Sequence, residues 1–332
     1  MAGGVPSSAF IGRAVELGQL DATLDRAEQG RPQVVLVAGD AGVGKTRLLL
    51  AFGERARRRG MRVLTGGCVE LGDIGLAYLP VVDALRGLAD DPAEAELLAE
   101  AAATAPGLAR LLPRITPAGP VGGPAGGGLD QLQVLDAVRA VLVGRSERSP
   151  VVLVLEDLHW ADRSTGNLVA FLARTLRSGR VTLAVSYRSD ELHRRHPLRP
   201  LLAELVRLPS VERRELAPFG RGELAEHLEA ISGGPLPADQ VEGIYARSEG
   251  NPFYAEQLLA ARAGGAQALP ATLAECCWPA SRGCPSRPSR CCGWRRWPVA
   301  GCPPAPCRGR RAARGRAGAR AARGGRLRRA DE

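Results

Sequence analysis

The chain has 332 residues, with 45 basic and 35 acidic side chains and a formal net charge of +10. At about 150 residues per domain, this length favours two domains with a substantial core. No run of 18 apolar residues occurs, and the N-terminus has neither the basic flank nor the apolar stretch of a signal peptide. We therefore expect a cytoplasmic protein without membrane association.

Two helices and a buried strand are predicted for the first sixty residues. The first helix starts within residues 10–17 and reaches about Glu28, since its leucines recur on one face. Residues 33–38 form an almost wholly apolar run, which is typical of a buried strand. A second helix is predicted from Thr46 to about Arg59.

A glycine-rich loop joins this strand to the second helix. Its pattern is G-x-x-x-x-G-K-[ST], here Gly39-Asp40-Ala41-Gly42-Val43-Gly44-Lys45-Thr46. The glycines let successive backbone N–H groups point inward around an anion, and the helix N-terminus adds partial positive charge. The pattern predicts a site for the phosphates of a nucleotide. The alternative interpretation is a glycine-rich turn without a ligand.

Lys45 is the only lysine in the chain, against 44 arginines. A lysine is needed where a flexible point charge is required and a planar guanidinium does not fit. We therefore expect Lys45 to reach the β- and γ-phosphates of the nucleotide and the Thr46 hydroxyl to ligate Mg²⁺. Arg47 completes the predicted cofactor-binding set of this loop.

The next ninety residues are predicted to be mainly helical. A second strand covers residues 62–66, and a helical stretch begins at residues 80–88 and continues through residues 93–103. Residues 105–128 are rich in proline and glycine, which predicts a flexible loop. A helix over residues 129–143 follows.

Two acids follow an apolar strand over residues 150–155, of the kind found in the middle of a parallel sheet. P-loop NTPases place a carboxylate at such a strand end near Mg²⁺, and a second acid polarises the attacking water. Successive strand residues face opposite ways, so we assign Glu156 to the metal and Asp157 to the water. The exchanged roles, and two plain surface carboxylates, are the alternatives.

The strand over residues 181–187 ends at Arg188. On a strand beside the acidic one, this side chain is a candidate catalytic sensor of the γ-phosphate. The alternative is a solvated arginine at the end of a strand. Residues 211–216 are predicted as the last strand.

A small helical region over residues 218–262 is predicted after the last strand, with helices at residues 238–248 and 253–262. Pro252 stands at the first turn of the second of these helices, where its missing N–H and fixed φ are well tolerated. On sequence grounds alone, a simple helix start explains Pro252 as well as a functional role does.

Residues 276–332 differ in kind from the rest of the chain. They hold 15 arginines and two acids, whereas the preceding residues hold 30 basic and 33 acidic side chains. Seven of the eight cysteines lie here, but not as paired C-x₂-C knuckles, so a zinc site is poorly supported. We predict a disordered tail; an arginine-rich arm that binds nucleic acid is the alternative.

An out-of-frame origin would explain this tail. Back-translated with GC-rich codons and read one base earlier, it becomes an apolar, helix-compatible sequence, although synonymous third bases have to be chosen for this. We therefore hypothesise a shift of reading frame near Glu275. Sequencing of the gene around that codon tests the hypothesis, and an intact frame would contradict it.

Six motifs together resemble the ATPase module of large bacterial LuxR-type, ATP-binding transcriptional regulators. This module is one of the STAND/AAA-type signalling ATPases and is similar to the origin-recognition ATPase domain. It also flanks catalytic domains in soluble adenylyl cyclases, but no second catalytic domain is evident here. The resemblance covers about residues 8–275 and rests on Phe10–Arg13 with Glu16-Leu17, the phosphate loop, Gly67–Leu71, Leu155–Asp162, Tyr187–Leu192 and Gly250–Tyr254.

The resemblance implies an α/β fold: a P-loop NTPase with a three-layer parallel sheet flanked by helices. The ATPase core would cover residues 1–217 and a small helical lid residues 218–275. It also implies an ATP-binding switch with slow Mg²⁺-dependent hydrolysis, and self-association as a further expectation.

Individual site residues are implied in the same way. Gly12 and Arg13 fall in the segment that packs by the adenine, and Pro252 matches a lid proline that contacts the base. Arg188 matches the sensor position. His159 and Trp160 match the family signature, but we expect them only to pack.

Two features depart from the family. The first acid of the pair is often Asp there and is Glu156 here. The family also continues through helical repeats to a DNA-binding helix-turn-helix, and this sequence contains neither, so DNA contact is expected only through that absent domain. A nucleic-acid-associated ATPase using the basic tail and a truncated nonfunctional fragment are the alternative functions.

Overall fold

The computed structural model describes residues 10–70, 77–89, 91–104, 106–112 and 127–263. All of these belong to one compact unit, Met1–Ala274. The predicted tail over residues 276–332, the frame-shift hypothesis near Glu275, and the end of the predicted lid beyond residue 263 lie outside the described residues.

Five strands form one parallel sheet, as predicted. They are β1 (Gln33–Gly39), β2 (Arg62–Gly67), β3 (Val151–Glu156), β4 (Val181–Ser186) and β5 (Val211–Leu216). Their order is β2-β3-β4-β1-β5, and every pair of neighbours is parallel. β1, β3 and β4 are buried almost throughout, which explains their nearly continuous apolar sequences.

Helices connect the strands and continue after β5. They are α1 (Ala14–Glu28), α2 (Lys45–Arg58), α3 (Leu79–Ala89), α4 (Pro92–Thr104), α5 (Pro106–Leu111), α6 (Gly127–Arg148), α7 (Arg163–Thr175), α8 (Leu198–Leu205), α9 (Arg221–Ser232), α10 (Ala238–Ser248) and α11 (Pro252–Ala263). A short 3-10 helix, Leu158–Trp160, follows β3. No helix in the described ranges is long and apolar enough to cross a membrane.

Alternate strand residues face two different cores. Val35 and Val37 pack with α1 and α2 on one face of the sheet, whereas Val34 and Leu36 pack with α3 to α8 on the other. This is the period-two alternation of a strand buried on both sides. The predicted three-layer α/β architecture is therefore confirmed.

The helices α9, α10 and α11, called the lid helices below, bury a small core of their own. It contains Phe219, Leu224, Leu228, Ile244, Ala255 and Leu258. The first member of this cluster, Phe219, lies just after the boundary predicted between core and lid at residues 217 and 218. The division into domains stays a prediction.

The first helix begins later than the sequence suggested. Gly12 and Arg13 have φ of 70° and 60°, which is left-handed backbone that cannot continue into a helix. α1 therefore begins only at Ala14.

The stretch predicted as a loop over residues 105–128 is partly helical. α5 occupies Pro106–Leu111, and α6 already begins at Gly127. Pro106 fits the first helical position, and Leu108 is buried. A Cβ at Gly107 would lie 2.5 Å from the backbone oxygen of Gln133, so the glycine lets α5 approach α6 closely. Residues 113–126 lie outside the described ranges.

Candidate functional site

Three strand ends with polar side chains meet at one edge of the sheet. β4 lies between β1 and β3, and all three strands are parallel. The glycine-rich loop after β1, the acids at the end of β3 and Arg188 after β4 are therefore neighbours, as expected for the carboxyl edge of an open α/β sheet.

A cleft of about 230 Å³ opens at this edge. Its walls come from the segment before α1, the loop with the start of α2, the ends of β3 and β4, and the lid helices. The lining residues are Phe10, Ile11, Arg13, Gly42, Val43, Gly44, Lys45, Thr46, Arg47, Asp157, Arg188, Phe219, His227, Pro252, Phe253 and Glu256.

The loop backbone needs its glycines for two different reasons. Gly42 and Gly44 have φ of 76° and 103°, which favour glycine. A Cβ at Gly42 would also meet Phe253 at 2.8 Å, whereas a Cβ at Gly44 would meet nothing within 4 Å. Gly42 therefore allows the lid to approach the loop, and Gly44 sits in open space as the N-cap of α2.

Lys45 is 6% exposed and is held by the loop itself. Its Nζ donates to the backbone oxygens of Gly39 at 2.8 Å and Asp40 at 2.9 Å. Burial lowers the pKa of Lys45, and Asp157 opposes this shift. An ammonium group has three donors, so one donor beyond these two carbonyls is available for an anion.

Both acids lie close to the glycine-rich loop and the start of α2. Glu156 accepts a hydrogen bond from Thr46. The pKa of Glu156 is raised, mainly by burial and further by the charge of Asp157, while the hydrogen bond from Thr46 opposes the shift. β3 ends at Glu156, and Asp157 adopts left-handed backbone with φ of 55°. Strand alternation therefore does not decide where Asp157 points. Its side chain lines the cleft, while its N–H donates to the Ser186 hydroxyl at 3.0 Å.

The donors present fit a magnesium ion shared with phosphate. The described residues contain no group of three or more His, Cys, Asp and Glu that could hold a metal ion. Mg²⁺ typically binds one or two carboxylates together with substrate phosphates and water. The contact between Thr46 and Glu156 beside the phosphate loop matches that requirement.

Arg188 lines the same cleft as the loop. Its Nη1 donates to Glu191 Oε1 at 2.5 Å, and its guanidinium carbon lies 4.7 Å from the centre of the Trp160 ring. Its backbone N–H donates to His159 Nδ1 at 3.4 Å. A neutral imidazole that accepts at Nδ1 carries its proton at Nε2, which lies 3.4 Å from Glu191.

The buried His159 is expected to make the folded state sensitive to acid. Burial is the main cause that lowers its pKa to about 4 from 6.5; Arg188 and Lys45 lower it further and Asp157 opposes them. Between these values the unfolded chain takes up a proton that the folded chain refuses. The stabilisation is thus complete above about pH 6.5 and is lost as the pH falls towards 4.

We expect wild-type protein to lose about 2–3 kcal/mol of unfolding free energy through His159 across this window. His159→Gln, which cannot be protonated, is expected to flatten that part of the pH profile. Urea unfolding at pH 7, 6, 5 and 4.5 measures the effect. An unchanged slope in the variant would show that His159 is not the responsible group.

Arg13 joins the segment before α1 to the loop and the lid. Its guanidinium donates to the backbone oxygens of Val43 at 3.2 Å and Ala217 at 2.5 Å, and it stacks on Phe219 at 4.8 Å. The residue is buried at the cleft wall. Gly12 does not line the cleft; a Cβ there would lie 3.1 Å from Glu223 and 3.2 Å from Phe219.

Asn251 attaches the last lid helix to the phosphate loop. Its Nδ2 donates to the backbone oxygen of Ala41 at 2.8 Å, and its Oδ1 accepts the N–H of Phe253 at 3.1 Å, which caps α11. The same N–H of Phe253 approaches the backbone oxygen of Gly42 at 3.4 Å. Through these contacts, Asn251 holds the neighbouring Pro252 at the wall of the cleft.

A charged contact reinforces this attachment. Glu256 on α11 lies 3.4 Å from Arg47 on α2 and 2.9 Å from His227 on α9. All three residues line the cleft. A ligand bound in the cleft would therefore touch groups that link the lid helices to the core.

Two substitutions of Asn251 separate its roles. Asn251→Asp retains the oxygen that caps α11 but loses the donor to Ala41, whereas Asn251→Ala loses both. We expect both variants to bind ATP about fivefold more weakly. Only Asn251→Ala should also lose about 1 kcal/mol of unfolding free energy, since Asp remains a good cap. Calorimetric titration and urea unfolding measure these effects. Wild-type ATP affinity in Asn251→Asp would mean that the contact between Asn251 and Ala41 does not contribute to ATP binding.

The structure brings together most of the predicted site residues. Gly12, Gly39, Asp40, Ala41 and Glu156 are not among the residues that line the cleft. Sequence reasoning missed Phe219, His227, Asn251 and Glu256. Of these, only Asn251 had a local signal, because Asn directly before the Pro at the first turn of a helix is a favoured N-cap. The chemical roles of all these residues remain predictions.

These features define a P-loop NTPase: a buried strand, a glycine-rich loop with its lysine, a helix, and two acids on a parallel strand of the same sheet. A family model described as AAA ATPase domain matches residues 9–187. The chain belongs to this family of ATPases.

A curated relative is an uncharacterised protein of Rhizobium meliloti (strain 1021). It is 28% identical over 258 residues, a region that covers 70% of this chain. The same region covers only 24% of the relative, so the chain spans about a quarter of the length of the curated protein it matches.

Similar solved structures include the RuvB Holliday junction branch migration motor of Thermotoga maritima, with 16% identity and a TM-score of 0.40. This match covers 81% of our chain and 70% of RuvB. Another is a STAND protein with a tetratricopeptide repeat sensor from Pyrococcus horikoshii, with 15% identity and a TM-score of 0.42, covering 75% of our chain and 29% of that protein. Identities this low carry no argument about function.

Proposed function

We propose that this chain is the ATP-binding module of a LuxR-type transcriptional regulator, in which slow Mg²⁺-dependent hydrolysis of ATP acts as a conformational switch. The observation that carries the proposal is the convergence, in one cleft, of the phosphate loop, the acid pair, Arg188 and the attached N-terminus of α11. The family membership and the sequence motifs support it.

The two ends of the cleft suit the two ends of ATP. The loop N–H groups and Lys45 would bind the phosphates. Towards the lid, the aromatic or apolar residues Phe219, Pro252 and Phe253 line the cleft together with Phe10, beside the polar His227 and Glu256. Phe253 is 42% exposed although it is a large apolar residue, and a purine base packed there would cover it.

Hydrolysis would depend on positioning and charge rather than on covalent chemistry of the protein. Thr46 and Glu156 would hold Mg²⁺, which supplies charge neutralisation to the phosphates. Asp157 would orient the attacking water and accept its proton. Arg188 would stabilise the negative charge that develops on the γ-phosphate.

The switch would operate through the lid. Asn251 and Glu256 connect α11 to the loop and α2, so the contents of the cleft would bias the position of the lid helices. Order or displacement of a segment that contacts the γ-phosphate is an established way to convert hydrolysis into a signal.

The regulatory role rests on the motif set that resembles LuxR-type regulators. The curated relative is about four times as long as the matched region, which agrees with a module inside a larger protein. DNA contact would then belong to a helix-turn-helix outside this sequence, and self-association and a cytoplasmic location are further parts of the proposal.

Titration of the purified chain with ATP and ADP, with and without Mg²⁺, tests the proposal. We expect micromolar binding of both nucleotides and slow release of phosphate from ATP, which stops when EDTA removes Mg²⁺. Absence of ATP binding at millimolar concentration would contradict the assignment. Turnover that is unaffected by EDTA would contradict the role of the metal.

A further inference from the structure

The short helix Leu158–Trp160 directly follows the acid pair and takes no part in the proposed phosphate contacts. The His159 side chain is 0% exposed, and the Trp160 ring lies against it with 4.6 Å between ring centres. Both side chains face the segment after β4, where Arg188 lies.

The first contact fixes the backbone of Arg188. His159 Nδ1 accepts the Arg188 N–H, and the Asp157 N–H donates to Ser186 two residues earlier. The ends of β3 and β4 are therefore tied together at Asp157 and again at His159. A shift of one strand end would move the acid and the arginine together.

The second contact fixes the guanidinium. It lies over the face of the Trp160 ring, and Glu191 accepts its Nη1 donor. A long arginine side chain otherwise samples many rotamers, and stacking on an aromatic face together with a carboxylate restricts them. Arg188 is thus held at the cleft wall before any ligand arrives.

The helix that supplies these contacts is itself anchored. Asp162 accepts the N–H groups of Ser164 at 2.7 Å and Thr165 at 3.1 Å, which caps α7. Its second oxygen accepts the N–H of Tyr78, just before α3. The residues directly after the short helix are thus fixed to the starts of two further helices, and such support helps to position a site precisely.

We propose that Trp160 and His159 are positioning residues for Arg188, which hold its guanidinium where the γ-phosphate of ATP binds. This inference rests on the proposed function. It assigns to the Leu158–Trp160 helix a role in the discrimination of ATP from ADP, rather than in overall nucleotide affinity, because ADP lacks the phosphate that Arg188 would contact.

The test compares Trp160→Leu, Trp160→Phe, Arg188→Ala and the Trp160→Leu/Arg188→Ala double variant in the full chain. Calorimetry gives the Kd for ATP and for ADP with Mg²⁺, and phosphate release gives kcat. Loss of the cation–π contact should lower kcat about tenfold in Trp160→Leu and reduce the preference for ATP similarly. ADP affinity should stay within about twofold, and Trp160→Phe, which keeps an aromatic face, should recover most of both.

The double variant distinguishes positioning from packing. If Trp160 acts through Arg188, the double variant is no slower than Arg188→Ala alone, since residues in one contact are not additive. Equal loss of ATP and ADP affinity, or additive losses in kcat, would overturn the inference and leave Trp160 a packing residue. Should Trp160→Leu fail to fold in a thermal melt, the same comparison is made with Trp160→Met, which also lacks an aromatic face, and Trp160→Phe remains the control.

Failure of the proposed function gives a different result. Wild-type protein that binds neither ATP nor ADP would refute the nucleotide site and this inference with it. Wild-type binding and turnover with unchanged ATP preference in Trp160→Leu would refute the inference alone.

Discussion

Lys45→Ala is expected to reduce ATP affinity about 100-fold or more, so that binding nearly disappears. The ammonium group is the charge-assisted donor to the phosphates, and such a bond contributes about 1.5–3 kcal/mol. Its removal also takes the ammonium donor away from the backbone oxygens of Gly39 and Asp40. Calorimetric titration with Mg²⁺ and ATP measures the loss.

Two further variants show whether the effect is specific. Arg58→Ala removes one positive charge from the exposed end of the same helix and should leave ATP binding unchanged. Lys45→Arg keeps the charge, but a planar guanidinium cannot take the place of an ammonium group between two carbonyls, so it should bind ATP weakly. ATP binding as tight in Lys45→Ala as in the wild type would mean that the site is wrongly assigned.

Asp157→Asn is expected to preserve ATP binding and to lower kcat about 100-fold or more. The amide has almost the same shape as the carboxylate but cannot accept a proton, and general base catalysis contributes about 10²- to 10⁴-fold. Phosphate release under saturating ATP, together with a calorimetric Kd, measures both quantities. A wild-type rate in this variant would remove Asp157 from the mechanism.

Glu156→Gln provides the matched comparison, because the roles of the two acids could be exchanged. With Glu156 on the metal side, this variant should need a higher Mg²⁺ concentration for half-maximal turnover, and Asp157→Asn should not. The opposite pattern would assign the metal to Asp157. The hydrogen bond between Thr46 and Glu156 is the structural reason for the expected outcome.

Elements with a strong local pattern were predicted closely. The last strand and the helix over residues 238–248 have the predicted bounds, and the buried strands β1 and β3 agree within one residue. Apolar runs and helical periodicity are properties of short segments, so they can be recognised without knowledge of their neighbours.

Elements that depend on a distant neighbour were not predicted. Residues 105–128 were predicted as a loop, yet α5 forms at Pro106–Leu111, where Gly107 packs against the backbone of α6. His159 and Trp160 were expected only to pack, because nothing in their own segment shows that Arg188 lies above them. The link from Asn251 to Ala41 joins residues that are 210 positions apart.

The sequence by itself determined the chemistry that is available: the glycine spacing, the lone Lys45 before a helix and the acids at the end of an apolar strand. Tertiary structure alone decided the order β2-β3-β4-β1-β5, which brings those groups together, and the hydrogen bond from the Asp157 N–H to Ser186 at the end of the neighbouring strand. The physical reason is that backbone conformation and burial leave a local periodic signature. Pairing between distant segments depends on the packing of the whole chain.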